Sequence, residues 1–162
     1  MPEKPKFFRR EAHERHSMEG IPYFFQHRKM ISFSIRDKTE SRLEGNIAVV
    51  QKPEEFKGIF RSGERVLDLH IDSVNSRHII SLLEAFAAKI PELKKEFTGF
   101  YIDTPNTAIA KQIMKRFNPI EAETPANLVK SIRQSYSILV FTARYSSKYV
   151  DLNPVRLLSR FD

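Results

Sequence analysis

From Arg65 to Asp72 the chain alternates strictly. Leu67, Leu69 and Ile71 fall on one side of an extended backbone, with Asp68, His70 and Asp72 on the other. The pattern predicts a strand with one buried face. After the polar stretch Ser73-Val74-Asn75-Ser76 the period changes: Ile79, Ile80, Leu82, Leu83, Phe86, Ala87 and Ile90 recur at helical spacing up to Pro91. "FTGFYIDTP" then predicts a short strand. "NTAIAKQIMKRF" predicts an amphipathic helix with Ile109, Ile113, Met114 and Phe117 inward, Thr104 or Asn106 as its cap and Pro105 in its first turn.

On either side of this centre the signals are shorter. Residues 1–6 form a Pro/Lys lead, and residues 7–19 are charged and helix-compatible up to Gly20. Residues 22–37 become strand-like at Ile31, Phe33 and Ile35. Gly45-Asn46, inside "RLEGNIAVVQ", predicts a hairpin between two strand pieces. Residues 52–65 read as a loop with two glycines. "NPIEAET" carries a weak strand signal, a short helix follows Pro125, residues 135–145 have the strongest strand pattern, and residues 146–162 read as a basic C-terminal tail. The order predicts one α+β domain over 1–162, with a mixed, partly antiparallel sheet flanked by helices. The crossover from Val66 to Asp103 has the length of a right-handed βαβ unit, so its two strands should be parallel.

Composition adds charge to this picture. A formal net charge of +7 and a pI near 9.7 point to an anionic partner: nucleic acid, a phosphate-bearing ligand, a membrane surface or an acidic protein. Lys111 and Lys115 stand four residues apart on one helix, next to Arg116, and form a candidate nucleic-acid contact. Further basic residues sit at Lys4, Lys6, Arg9 and Arg10, and at Lys130, Arg133, Arg144, Lys148, Arg156 and Arg160. Tyr136, Tyr145 and Tyr149 interleave with the last group, as stacking on single strands would use. The absence of Cys excludes disulfides, thiolate metal sites and cysteine nucleophiles. The N-terminus has no apolar signal core and no window is long enough to span a membrane, so a cytoplasmic location is expected.

The succession strand–helix–strand–Asn–helix, carried by "LHIDSVNSRHIISLLEAF" and "FYIDTPNTAIAKQIMKRF", resembles the GNAT N-acetyltransferase superfamily. The resemblance implies that Ser73, Asn75, Ser76 and Arg77 lie where the coenzyme A pyrophosphate binds, and that Asn106 matches the family's Asn. Acetyl-CoA is the implied cofactor. The chain departs from the family loop at Ile80 and Leu82, which stand where small residues belong. A β-branched side chain there keeps backbone N–H groups away from phosphate oxygens. The helix start and Arg77 still offer positive potential to an anion.

Among titratable residues, Asp68, His70 and Asp72 share one face of a strand. His70 and Asp72 are candidate general bases if that face is partly desolvated; a solvated strand face is the plainer reading. His13 and His16 share a helical face but lack the spacing and third ligand of a metal site. Three functions remain open. One is a divergent GNAT-like N-acyltransferase using acyl-CoA with weakened coenzyme binding. The second is a non-enzymatic basic accessory protein, of phage or plasmid type, that binds nucleic acid or a protein partner. The third is a subunit whose Phe-rich surface docks on a partner.

Overall fold

The computed structural model describes residues 21–73, 75–131, 134 and 150–162, with backbone alone over 150–153. The helix-compatible stretch 7–19, His13, His16, the Lys4–Arg10 cluster, the strand pattern at 135–145 and Tyr136, Tyr145 and Tyr149 lie outside the described residues.

The aromatic run folds back at Arg28-Lys29, so β1 (Tyr23–His27) pairs antiparallel with β2 (Met30–Arg36). A second turn follows, where Asp37 Oδ1 accepts the Thr39 N–H at 3.1 Å, and leads into β3 (Glu40–Val49). β3 runs unbroken through Gly45-Asn46, where the sequence predicts a hairpin. Gly45 serves packing instead of turning: a Cβ there would come within 2.9 Å of Ile31 Cγ1 on β2. A loop containing a 3₁₀ turn at Pro53–Phe56 leads to β4 (Arg65–Asp72), antiparallel to β3.

Then comes the crossover: α1 (Ser76–Leu93) carries the chain to β5 (Gly99–Asn106), which lies parallel to β4 as predicted. α1 passes through Pro91 rather than stopping before it. The proline removes one hydrogen bond, to the Ala87 carbonyl, and does so in the exposed last turn where the loss matters least. After α2 (Thr107–Phe117), β6 (Ile120–Ala122) and β7 (Val150–Arg160) follow, and among the described residues the strands form a seven-stranded mixed sheet of order β1-β2-β3-β4-β5-β7-β6. The architecture is α+β.

β7 lies between β5 and β6, antiparallel to both, within the segment read from sequence as a tail. Its pattern hides the strand. Leu157 packs on one face of the sheet and Leu158 on the other, so apolar residues stand side by side and no alternation shows.

α1 and α2 cover one face. Leu67, Leu69, Phe100, Ile102 and Leu157 meet Leu82, Leu83, Phe86, Ile109 and Ile113 there. Phe86 makes ring contacts with Phe33, Phe100, Phe117 and Phe161, centroids 5.2–6.2 Å apart. Burial of each such side chain stabilises by about 1.5–3 kcal/mol. Met114, expected inward, is 52% exposed, because the buried stripe of α2 follows Ile109 and Ile113 and Met114 stands about 100° around the helix. On the opposite face the loop after β3 covers a smaller cluster of Val50, Phe56, Phe60, Val66, Ala122 and Leu158.

Candidate functional site

The parallel strands β4 and β5 pair only from Val66↔Gly99 to Leu69↔Ile102. At the start of that stretch β5 is locked to the sheet. Gly99 lies so close to β7 that a Cβ would fall 2.1 Å from the Ser159 carbonyl oxygen. Beyond it each strand follows its outer neighbour. His70, Ile71 and Asp72 stay with β3, opposite Glu44, Leu43 and Arg42. Asp103 and Thr104 stay with β7, opposite Arg156 and Val155, and the register shifts before Asn106. Pro105 stands at that irregularity and has no N–H to give a ladder. The strands therefore part, and a cavity of about 170 Å³ opens between Asp68–Ile71 and Ile102–Pro105, with Leu128 on its rim.

A group of polar side chains at and beside this cleft shares the sheet face away from the helices. Asp68 pairs in register with Tyr101 across the parallel ladder, and Asp103 with Arg156 across the next one. Arg156 Nε lies 2.7 Å from Asp103 Oδ1 and its terminal nitrogen 2.9 Å from Oδ2, a bidentate pair with side chains only 4% and 8% exposed. The other terminal nitrogen donates to the Glu55 carbonyl at 3.1 Å. The guanidinium also lies 5.0 Å from the Phe56 ring centre and 4.8 Å from that of Tyr101. The Asp103 carboxylate is thereby paired. Among the described residues Asp68 has no such cation. Burial, reinforced by the charge of Asp103, pushes its carboxyl up to about 6, against smaller opposing effects of Tyr101, His70 and Arg156. The Tyr101 phenol is pushed far up, first by burial and then by Asp68, so it stays protonated.

The sequence-predicted residues divide. His70 is exposed and lines the cleft beside Asp68. Asp72 is exposed at the end of β4, outside the cleft lining and opposite Arg42. Asn75 caps α1: its Oδ1 accepts the N–H of Arg77 at 2.9 Å and of His78 at 3.4 Å. Asn106 caps α2 in the same way, through Ala108 and Ile109 at 2.9 and 3.1 Å. Helix-start amides expected to meet a phosphate are thus already held by the chain itself. Ser73 hydrogen-bonds to Ser41 and Asn75, while Ser76 and Arg77 are exposed in the first turn of α1. Lys111 and Lys115 are exposed on α2, but Arg116 turns away to Gln112 and to Glu84 of α1, so the three do not form one free cationic face.

Two groupings leave no pattern in the sequence. One joins Asp68 and Tyr101 to Asp103 and Arg156. Alternation placed Asp68 on the polar face, but nothing in the sequence tied Asp103 to an arginine of the last strand. The other joins Asp37 and Ser41 to His78, which is buried although it stands in the first turn of α1. Among the described residues no cluster of His, Asp or Glu could hold a metal ion, and no helix is long and apolar enough to cross a membrane. No family model, curated protein or solved structure matches the chain.

Proposed function

We propose that the cleft between β4 and β5 takes an acyl thioester and an amine, and that the chain is a divergent GNAT-like N-acyltransferase in which Asp68 receives the amine's proton. The observation that carries this reading is the place of Asp68. It stands on the last paired stretch of two parallel strands, at the carboxyl ends where sheets of this kind bind ligands. A carboxyl titrating near 6 is ionised at neutral pH yet basic enough to share a proton in the transition state.

Past Leu69 and Ile102 the facing backbone groups of β4 and β5 no longer pair with each other. An extended chain bearing amides, such as the pantetheine arm of coenzyme A, can lie between them and form those bonds. The coenzyme when bound would supply an activated thioester carbonyl. A backbone N–H on the cleft edge would polarise that carbonyl, and the protonated Tyr101 hydroxyl would hold Asp68 in place. With Asn75 occupying the amides of Arg77 and His78, phosphate binding falls to the Arg77 side chain and the positive end of α1, which is a physical basis for weak coenzyme affinity.

A thermal shift with acetyl-CoA, paired with an acetyl-transfer assay on simple amines, tests the proposal. Ligand at a hundred times its dissociation constant should add about 2.7 kcal/mol of stability. Asp68→Asn should keep that shift while transfer falls by about 10²–10⁴-fold. Absence of both shift and transfer in the unmutated protein would end this reading. Salt-sensitive binding of a short oligonucleotide in the same assay would then favour the accessory-protein alternative.

A further inference from the structure

We infer that Ser73 is an activated serine, able to take an acyl or phosphonyl group through a hydrogen-bonded relay running Ser73–Ser41–His78–Asp37. The inference makes no use of the β4–β5 cleft and stands apart from the acyltransferase reading. Ser73 Oγ lies 2.8 Å from Ser41 Oγ. Ser41 Oγ lies 2.7 Å from His78 Nδ1, and His78 Nε2 lies 2.9 Å from Asp37 Oδ2. The four residues come from the start of β3, the position just after β4, the first turn of α1 and the β2–β3 turn. Ser41 and His78 are only 1% and 5% exposed, so water does not compete for the middle of the chain.

The relay has a direction. Asp37 accepts one hydrogen bond from Thr39 N–H, which together with His78 holds its carboxyl below the ordinary range and keeps it ionised. An ionised Asp37 draws the His78 proton to Nε2, leaving Nδ1 to accept from Ser41 O–H and Ser41 Oγ to accept from Ser73 O–H. The Ser73 hydroxyl can also turn to the Asn75 carbonyl at 3.1 Å, but the bond to Ser41 is shorter. Ser41 is sealed in the core. Ser73 is half-buried, and of the two serines in the relay it is the one that a substrate can reach. It stands at the positive end of α1 and already accepts the Asn75 N–H at 3.1 Å, both of which favour a developing alkoxide.

The step balances without a cofactor. Ser73 Oγ bonds to the carbonyl carbon of an ester. Its proton passes to Ser41 as Ser41's own proton passes to His78 Nδ1, and Asp37 steadies the imidazolium. The leaving group departs as its own anion, as an aryl oxide or fluoride does, which leaves acyl-Ser73 and the proton on His78 Nδ1. A network that merely holds the β2–β3 turn against α1 would leave Ser73 as inert as any other serine.

A fluorophosphonate probe separates these cases, because Oγ displaces fluoride and leaves a fixed mass on the serine with loss of HF. The native chain should label on the peptide containing Ser73, and Ser73→Ala should not. Asp37→Asn, at a half-exposed position, and Ser41→Ala should each slow labelling by at least about tenfold, with the far-UV circular dichroism of the native protein. A native protein that leaves Ser73 unlabelled, or an Asp37→Asn protein that labels at the native rate, would overturn the inference.

Discussion

The sheet holds its two faces by different means. Under α1 and α2 the contacts are apolar and shared: among the described residues Phe86 alone meets four other rings, and nineteen buried residues form one continuous cluster. On the far side a smaller apolar cluster gives way, beside the cleft, to a few polar groups, where Arg156 holds Asp103 while its guanidinium lies against the Phe56 and Tyr101 rings. Apolar contacts are non-directional, so their stability is spread over many neighbours. A buried ion pair is directional and fails as a unit when either partner is removed. The helical face therefore sets how stable the sheet is, and the opposite face sets where charge stands at the mouth of the cleft.

The largest expected effect lies on the apolar face. Phe86→Ala should destabilise by roughly 3–5 kcal/mol, toward the upper end because four rings lose a partner at once. Chemical denaturation measures it directly. A loss below about 1 kcal/mol would mean that the cluster repacks freely and that the contrast between the faces is overstated.

Arg156→Met comes next, at about 3 kcal/mol, since it strands a buried carboxylate on Asp103 while the Met side chain still fills space over Phe56. The double variant Arg156→Met/Asp103→Leu should recover most of that loss, because the stranded charge is gone. If the double variant is as unstable as the single one, the pair contributes through packing rather than charge, and the two faces are held by the same means.

These residues also show where sequence reading succeeds. The β4–α1–β5 crossover was legible because its pattern is local: period two in Arg65–Asp72, helical period up to Ile90, and a connection long enough to return parallel. β7 was not legible, because a strand buried on both faces lacks alternation and its arginines read as solvent-facing. Arg156 finds its carboxylate 53 residues away, and no spacing rule reaches that far. The Asn75 and Asn106 positions were visible as polar residues ahead of helices, but whether a side-chain oxygen serves a ligand or the helix's own amides depends on its rotamer. The cleft follows from which neighbour each strand keeps after Leu69 and Ile102, and that is a property of the whole sheet.

The smallest effect is the most specific to the polar face, and it concerns pH. The Asp68 carboxyl has an ordinary value of 3.8 and is raised to about 6 in the folded chain, by burial first and by the charge of Asp103 second. Between those two values the unfolded chain releases its proton while the folded chain still holds one. Stability attributable to Asp68 must therefore fall as pH rises from about 4 to about 6, and stay level above that. Below the window both states are protonated and no cost remains. Asp68→Asn removes the ionisation, so at neutral pH the variant should be more stable by about 1–2 kcal/mol, discounted from the full shift because the carboxyl still meets solvent. Under the same denaturation series the variant should lack the decline seen in the parent across this window. Equal slopes in the two proteins would show that Asp68 titrates as an ordinary surface carboxylate. Arg156 supplies the cross-check: its charge lowers the Asp68 value, so in Arg156→Met the decline should extend to higher pH. A decline that stays in place would mean that Arg156 is fully engaged by Asp103, with no field left over for its neighbour.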